Sequence, residues 1–512
     1  MTVHEAGEHV AAQARLRPDK AAVVMAASGR TTTYAELDDR SVRLARLLRA
    51  HGLRTGDHLA VLVGNEPAFF DVVWAAMRTG LFVTPINWHL APAEAGYIVR
   101  DCDATALVTS AMVADVVEAI DLADLAGIEL LLSAADLDAA LASVEPGEVD
   151  DEHEGGWMFY SSGTTGRPKG ILPPLSPAPL GTPSFLTMML GAMFGFDAET
   201  TYLCPAPLYH AAPAGWSTGV QRLGGTTVVM EAFDPIGLLE AIERYRVTHV
   251  QLVPTHMVRL LKLPAEERAR FDLSSLRMVV HAAAPCPVEV KRAFIDWVGP
   301  IVHEYYSGSE GIGFCKIGPE EWLAHPGSVG RSMSGAIHVL DPVGAEVPVG
   351  EEGEIWFETS RRFEYHKDPD KTAGVWNDRG WSWLGDVGRV DEEGYLYLTD
   401  RAGHMIISGG VNIYPRETED VLIGHPDVAD VAVLGVADPE MGERVCAFVQ
   451  LVPGAAVGGD ELIEFCRDRL SHYKCPTEVR FLEELPRFPT GKLLKRLLVT
   501  DPGAEPPAAS PS

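Results

Sequence analysis

Short apolar runs alternate with amphipathic segments over residues 1–130. Leu37, Ser41, Leu44 and Leu48 recur at the spacing of one helical face. Thr33 and Glu36 have the spacing of a capping box, which predicts where this helix begins. The other runs predict strands at 21–25, 58–63, 81–85 and 105–109 and a helix at 67–79. This alternation predicts largely parallel sheets covered by helices.

The same alternation returns after residue 150 and changes near residue 350. Apolar runs followed by polar or Gly-rich turns predict strands at 157–160, 226–230, 249–252, 278–280 and 302–304. Functional sites in such folds lie at the carboxyl ends of the strands. Later runs are typical of antiparallel strands, at 353–358, 388–390 and 395–399. A smaller unit after residue 400 has predicted helices at 415–423 and 461–470 and strands at 431–436, 445–451 and 479–482.

Length, charge and cysteine usage limit the class of protein. A chain of 512 residues exceeds what one hydrophobic core usually serves, which predicts at least two domains. The net charge of −30 argues against nucleic acid and anionic membranes as partners, because both require a basic surface. Seven cysteines without a CxxC pair indicate a reduced, cytoplasmic protein. Neither a signal peptide nor a membrane-spanning run of roughly 18 apolar residues is evident.

The most specific motif is SSGTTGRPKG at residues 161–170, directly after a predicted strand. Its glycines allow tight turns, its hydroxyl groups donate hydrogen bonds, and Arg167 and Lys169 add positive charge. Such a loop can surround the oxygens of a triphosphate. It is not a Walker A loop, because the GxxxxGK[ST] spacing is absent. The candidate residues are Ser161, Ser162, Gly163, Thr164 and Thr165 for ATP binding and Lys169 for catalysis.

Further motifs follow this loop in a fixed order. They read AAAP at 282–285, YSGSE at 306–310, LGD at 384–386, DR at 400–401, SGGVNIYP at 408–415 and PRFPTGK at 486–492. Together these motifs resemble the adenylate-forming superfamily of acyl-CoA synthetases, peptide-synthetase adenylation domains and luciferases. The resemblance covers residues 10–500. Within it, the sequence pattern of residues 195–310 is most similar to that of fatty-acyl-CoA synthetases.

The resemblance implies a fold and a reaction. The expected fold is α/β, with a large N-terminal domain of parallel-rich sheets and a small β-barrel-like subdomain at 1–400. A hinge at 401–404, a small mobile α+β domain at 405–500 and a disordered tail at 501–512 follow. The expected enzyme is an ATP-dependent acyl-CoA synthetase that uses ATP, Mg²⁺ and coenzyme A. Neither half-reaction needs a protein nucleophile, because positioning and cations suffice.

The resemblance also implies the contacts of the nucleoside. Tyr306 is expected to stack on adenine, and Asp386 is expected to accept hydrogen bonds from the ribose hydroxyls. Arg401 is expected near the ribose and the α-phosphate. The opposite face of the base is assigned to Ala283, Ala284 and Pro285.

The phosphate side is assigned in the same way. Ser309 is expected to contact phosphate, and Glu310 is expected to bind Mg²⁺, for which a carboxylate is a suitable hard ligand. Ser307 departs from the family's YGxTE pattern, in which glycine is usual. We expect this departure to alter the backbone near the acyl carbonyl.

The C-terminal motifs imply roles that change during the reaction. Lys492 is expected to bridge the carboxylate and the α-phosphate as charge builds up. A protein acetyltransferase acting on Lys492 would then silence adenylation. Gly409 and Gly410 are expected to line the CoA tunnel, where a Cβ would obstruct the thiol arm. His404 replaces the family's hinge aspartate, and we expect it to make domain alternation depend on pH.

The acid itself is less well defined by the sequence. His210 is expected to act as a gate facing the acyl carboxylate. Segment 211–217 contains no acidic residue to pair with an ammonium group, which disfavours amino acids. Small residues suggest a roomy apolar pocket for a fatty acid or a bulky polycyclic or terpenoid-type acid. The candidate lining residues are Trp216, Val253, Tyr305, Gly308 and Gly311.

Three alternatives remain open at this level. An acyl-AMP ligase could load a carrier protein, although segment 356–371 leaves little room for the insertion found in that branch. A luciferase-type oxygenase and a non-catalytic protein that binds acyl-adenylate are the others. The expected partners are a small carboxylic acid, ATP and CoA, and a homodimer is left open.

Overall fold

The computed structural model describes residues 7–161, 168–175, 178–401, 405–408, 411–439, 441–487, 493 and 495–498. Helices and strands alternate up to residue 150, as the apolar pattern predicts. The helices are α1 (Val10–Leu16), α2 (Tyr34–Ala50), α3 (Ala68–Arg78), α4 (Pro92–Asp101), α5 (Ala114–Glu118) and α6 (Ala134–Ala142). The strands are β1 (Ala21–Met25), β2 (Thr31–Thr33), β3 (His58–Leu62), β4 (Phe82–Pro85), β5 (Ala104–Thr109) and β6 (Leu130–Ser133).

Helix α2 illustrates how local sequence sets an element. The Thr33 hydroxyl accepts a hydrogen bond from the Glu36 amide, and the Glu36 carboxylate accepts one from the Thr33 amide at 2.8 Å. This confirms the predicted capping box. The predicted apolar face is also buried, with Leu37, Ser41, Leu44 and Leu48 among its residues.

Residues 156–332 continue the alternation. The strands are β7 (Gly156–Trp157), β8 (Phe159–Ser161), β9 (Lys169–Leu172), β10 (Thr201–Cys204), β11 (Thr226–Val229), β12 (His249–Leu252), β13 (Met278–His281), β14 (Val302–Tyr306), β15 (Cys315–Ile317) and β16 (Arg331–Ser332). The helices are α7 (Phe185–Phe194), α8 (Ala211–Leu223), α9 (Pro235–Tyr245), α10 (Pro254–Leu261), α11 (Ala265–Arg268), α12 (Val288–Val298) and α13 (Pro319–Ala324).

Two parallel-rich sheets form the body of the large domain. One sheet has the order β6–β5–β3–β4–β7, and all of its pairs are parallel. The other has the order β16–β15–β14–β13–β12–β10–β11–β1–β2 and is parallel from β14 to β1. Both sheets are packed against helices. The predicted α/β class with largely parallel sheets is therefore confirmed.

The single strand predicted at 157–160 is wrong. Strand β7 ends the five-stranded parallel sheet, and β8 begins a different, antiparallel sheet. Between them lies Met158, which is fully buried and donates its amide to the Val83 carbonyl at 3.0 Å. Trp157 and Phe159 stack at a centroid distance of 5.0 Å across the junction. The apolar run is continuous because both halves are buried, so its pattern does not reveal the change of sheet.

Small antiparallel sheets follow, as the change in hydrophobic pattern near residue 350 predicts. Strands β17 (Ile337–Leu340), β18 (Gly353–Glu358), β20 (Trp381–Val390) and β21 (Leu396–Arg401) form one sheet in that order. Strand β19 (Glu364–Tyr365) joins β9 and β8 in the order β19–β9–β8. Helix α14 (Pro369–Gly374) follows β19 directly.

The last part of the chain has its own core. It contains β22 (Ile406–Ser408), β23 (Val411–Ile413), α15 (Pro415–Ile423), β24 (Val428–Asp438), β25 (Gly442–Leu451), α16 (Gly459–Arg467) and β26 (Glu478–Phe481). The sheet order is β23–β22–β25–β24, with β26 beside β25. The Arg416 guanidinium donates to the Leu398 carbonyl at 2.8 Å, and the Lys262 ammonium donates to the Val428 carbonyl. These contacts join the unit to the large domain.

Two further findings bear on the sequence predictions. All seven cysteines lie within the described part of the chain, and each is buried and unpaired with another cysteine. Within the same described ranges, no helix combines the length and apolarity needed to cross a membrane.

Candidate active site

The carboxyl ends of β13 and β14 form the predicted adenine side of the site. The two strands are parallel neighbours, with His281 opposite Glu304. Tyr306 is the last residue of β14, and the predicted loop follows β13. The loop residues Ala283, Ala284 and Pro285 are thereby brought to the same sheet edge as Tyr306. Ala283 has φ +75°, a left-handed conformation that residues with a Cβ adopt only at a cost in strain.

A buried charged cluster lies beneath this loop. The Lys291 ammonium, from α12, lies 2.6 Å from Oε2 of Glu304, and Nε2 of His281 lies 3.5 Å from the same oxygen. Burial alone would raise the pKa of Glu304, but the positive charge of Lys291 holds it below its usual value. Burial lowers the pKa of His281 to about 3, so the imidazole is neutral at physiological pH. The cluster ties two strand ends and a helix together.

Asp386 connects β20 to the end of β14. The Tyr306 hydroxyl donates a hydrogen bond to Oδ2 of Asp386 at 2.5 Å, and the Trp383 indole donates to the Asp386 carbonyl at 3.1 Å. Arg401 lies opposite Asp386 in the β20–β21 register. The structure therefore brings the predicted base-binding and ribose-binding residues into contact, with the backbone of Arg401 alongside them.

The turn after β14 holds Glu310. The Tyr365 hydroxyl donates to Oε1 of Glu310 at 2.9 Å. A Cβ at Gly308 would lie 2.8 Å from Oε2 of Glu310 and 2.4 Å from a Leu384 methyl group, so glycine leaves room for the carboxylate. Ser309 lies within this turn, between these two residues.

Ser307, the departure from the family pattern, has a structural role in the same turn. Its hydroxyl donates to the Ile312 carbonyl at 3.2 Å. The Gly308 amide also donates to the Ile312 carbonyl, at 3.1 Å. The turn is thus closed by two bonds to one carbonyl group.

Lys169 begins β9, the strand that follows the predicted phosphate loop. Its ammonium group forms an ion pair with Asp368, the residue that caps α14. The ammonium of Lys371 lies 4.3 Å from the centroid of the Tyr365 ring. Sequence reasoning missed Tyr365, Asp368 and Lys371. Their only local signal is a mixture of aromatic, acidic and basic residues before a short helix.

The predicted acyl-pocket residues lie at strand ends and on α8. His210 is the residue before α8, and its ring lies 4.3 Å from that of Tyr209. Trp216, from α8, stacks on Tyr305 at 5.5 Å and 17°. Tyr305 in turn stacks on Phe314 at 5.7 Å. These rings form a continuous wall in the interior of the large domain.

Other predicted pocket residues have specific neighbours. Val253 follows β12 and precedes α10. Gly311 has φ +72°, and a Cβ there would lie 2.8 Å from the guanidinium carbon of Arg361. A Cβ at Gly215 would meet Leu186 of α7 at 3.4 Å, an ordinary van der Waals distance.

Several predicted residues lie outside the described residues, and their assignments remain predictions from the sequence. They are Ser162, Gly163, Thr164, Thr165, His404, Gly409, Gly410 and Lys492. The backbones of Ser161 and Arg401 are described as the ends of β8 and β21.

The described residues fit a nucleotide with Mg²⁺. In the ranges that the structure describes, no three His, Cys, Asp or Glu side chains are grouped to hold a metal ion by themselves. Mg²⁺ characteristically takes one or two carboxylates and completes its octahedron with phosphate oxygens and water. Glu310, which the sequence assigns to Mg²⁺, is a carboxylate of the kind that would fit this role.

The fold and this arrangement define an adenylate-forming enzyme. Residues 10–363 match the family described as AMP-binding enzyme, and residues 417–492 match the AMP-binding enzyme C-terminal domain. The chain belongs to the AMP-binding enzyme family. It is an AMP-forming acid–thiol ligase, for which ATP, Mg²⁺ and coenzyme A are required.

Individual relatives cover nearly the whole chain. Feruloyl-CoA synthase from Amycolatopsis sp is 37% identical over 490 residues, covering 94% of this chain and 96% of the relative. Long-chain-fatty-acid–CoA ligase FadD13 from Mycobacterium tuberculosis is 31% identical, covering 91% and 92%. The crystal structure of ATP-bound MatB from Rhodopseudomonas palustris has a TM-score of 0.81 at 27% identity, covering 96% and 98%.

Proposed function

We propose that the enzyme activates a hydrophobic carboxylic acid with a flat aromatic body, of the hydroxycinnamate class, and transfers it to coenzyme A. The observation that carries this proposal is the ring wall of Trp216, Tyr305 and Phe314. Fixed rings favour a planar aromatic ligand by about 0.5–1.5 kcal/mol per ring pair beyond the burial of area. The relative named feruloyl-CoA synthase supports the same substrate class.

The polar groups near this ring wall restrict the class of acid further. The Gln251 amide donates to the Tyr305 hydroxyl at 2.9 Å, which satisfies that buried group without a ligand. Segment 211–217 contains no carboxylate. An ammonium group placed there would be buried without a partner, which costs several kcal/mol. Amino acids are therefore expected to be poor substrates.

The proposed reaction has two steps in which bonds are exchanged. A carboxylate oxygen attacks the α-phosphorus, and pyrophosphate leaves with the electrons of the broken bond. The CoA sulfur then attacks the acyl carbonyl, and AMP leaves. When bound, Mg²⁺ neutralises phosphate charge. Tyr306 and Asp386 hold the nucleoside, Glu310 supplies the metal ligand, and Lys492 stabilises charge at the reacting carboxylate.

The length of segment 356–371 bears on the acceptor of the acyl group. This segment is taken up by the end of β18, a short loop, β19 and the start of α14. A carrier-protein ligase of the branch with an insertion here would need more chain. CoA is accordingly the proposed acceptor.

A pyrophosphate-release assay over a panel of acids tests this proposal. The panel contains hydroxycinnamic acids, long-chain fatty acids, polycyclic acids and amino acids, each with and without CoA. We expect kcat/KM to be highest for hydroxycinnamic acids and thioester to form only with CoA. A preference for fatty or polycyclic acids would overturn the substrate class, and release of adenylate that CoA never consumes would overturn the acceptor.

A further inference from the structure

Backbone pairing places β19 beside β9, the strand that follows the predicted phosphate loop in the sequence. Strand β19 runs antiparallel to β9, with Tyr365 opposite Ile171. The His366 amide donates to the Gly170 carbonyl at 2.8 Å. The chain that leaves β19 therefore lies alongside the first residues of β9, which begins at Lys169.

Two charged groups contact the side chain of Tyr365 at this point, and two more lie next to them. Its hydroxyl donates to Glu310, and the Lys371 ammonium lies over its ring. The Asp368 carboxylate accepts a hydrogen bond from the Lys371 amide at 3.0 Å. The same carboxylate forms the ion pair with Lys169. Two ammonium groups and two carboxylates thus share one small volume at the start of β9.

In this volume the carboxylates of Glu310 and Asp368 offset the positive charges of Lys169 and Lys371. A polyphosphate with Mg²⁺ could take the place of these two carboxylates as the partner of the lysines. Burial lowers the pKa of Lys371, and the positive charge of Lys169 lowers it further, whereas Glu310 and Asp368 oppose the shift. Neighbouring ammonium groups repel each other unless an anion lies between them. Phosphate oxygens would compete with Asp368 for Lys169, and Glu310 would hold Mg²⁺, which would leave both lysines to neutralise phosphate.

We propose that Lys371 is a second phosphate-binding lysine, which together with Lys169 holds the β- and γ-phosphates of ATP and the departing pyrophosphate. Asp368 is the carboxylate that Lys169 exchanges for phosphate. This inference rests on the proposed function and refines the same site. When the bond between the α-phosphorus and the bridging oxygen breaks, its electron pair goes to pyrophosphate. The new negative charge is then stabilised by two lysines.

Calorimetric titration of the full-length protein with Mg²⁺ and pyrophosphate tests the role of Lys371. Lys371→Met keeps the aliphatic contact with Tyr365 but removes the charge. One charge-assisted contact corresponds to about 10- to 100-fold in affinity, so we expect that loss in Kd. Lys371→Arg is expected to restore most of it. The matched control is Lys367→Met, because Lys367 bonds to Asp103 and the Asp101 carbonyl outside this cluster.

Asp368→Asn gives a test of opposite sign. Asparagine can still cap α14 but does not compete for Lys169, so pyrophosphate should bind several-fold more tightly. Equal pyrophosphate affinity in Lys371→Met and Lys367→Met, or equal weakening in Lys371→Met and Asp368→Asn, would overturn the inference. The pyrophosphate titration tests the role of Lys371 even if no acid in the panel is activated. Failure of this inference can therefore be told apart from failure of the proposed function.

Discussion

At the scale of single residues, Glu304 joins three elements beneath the adenine loop. Its carboxylate is buried and contacts Lys291 and His281, which come from α12 and β13. Burying a charge is tolerated only when a partner compensates for lost hydration. The strained backbone of Ala283 lies two residues after His281. The cluster therefore supports the loop that is expected to hold the base.

Removing the cation of this cluster should be costly. Lys291→Met leaves Glu304 buried without its partner, so we expect a loss of about 3–5 kcal/mol in the free energy of unfolding. Urea denaturation measures this. The double variant Lys291→Met with Glu304→Leu removes both charges and should regain most of the loss. A single variant that costs less than about 1 kcal/mol would contradict this account of the cluster.

At the scale of elements, the turn from Ser307 to Ile312 sets the position of Glu310. Its geometry depends on the absence of a side chain at Gly308, whose missing Cβ leaves space for the carboxylate. Gly308→Ala should therefore displace Glu310 without unfolding the domain. Overpacking of this kind costs about 1–3 kcal/mol, so we expect KM for ATP to rise by roughly 10-fold or more.

Pyrophosphate release at varied ATP measures this effect. Gly127→Ala is the matched control, since a Cβ there meets its nearest atom at an ordinary 3.6 Å. A KM for ATP that is the same in both variants would contradict the role of the turn.

Elements with regular patterns could be predicted from the sequence, whereas their long-range pairing could not. Strand His249–Leu252 and helix Pro415–Ile423 have the predicted bounds, because apolar periodicity and a proline at the start of the helix define them locally. Residues 157–160 divide between two sheets, which an unbroken apolar run conceals. Tyr365 and Lys371 were missed because only the pairing of β19 with β9 brings them to the phosphate side.

At the scale of the whole molecule, polar contacts between described residues join two units that have separate cores. Arg416 and Lys262 make such bonds to backbone carbonyls across the boundary. The sequence predicted the α/β fold class with a separate C-terminal unit. It could not predict these contacts, because they depend on how the units pack and not on a local pattern.

Separating the two half-reactions gives the most direct test of the central claim. The measurement is single-turnover thioester formation by mass spectrometry, started either from acid, ATP and CoA or from purified acyl-adenylate and CoA, each with and without EDTA. We predict that EDTA abolishes thioester formation from ATP but not from the adenylate, and that AMP is the nucleotide product in both. Failure to convert the adenylate with CoA, or formation of ADP from ATP, would contradict the account.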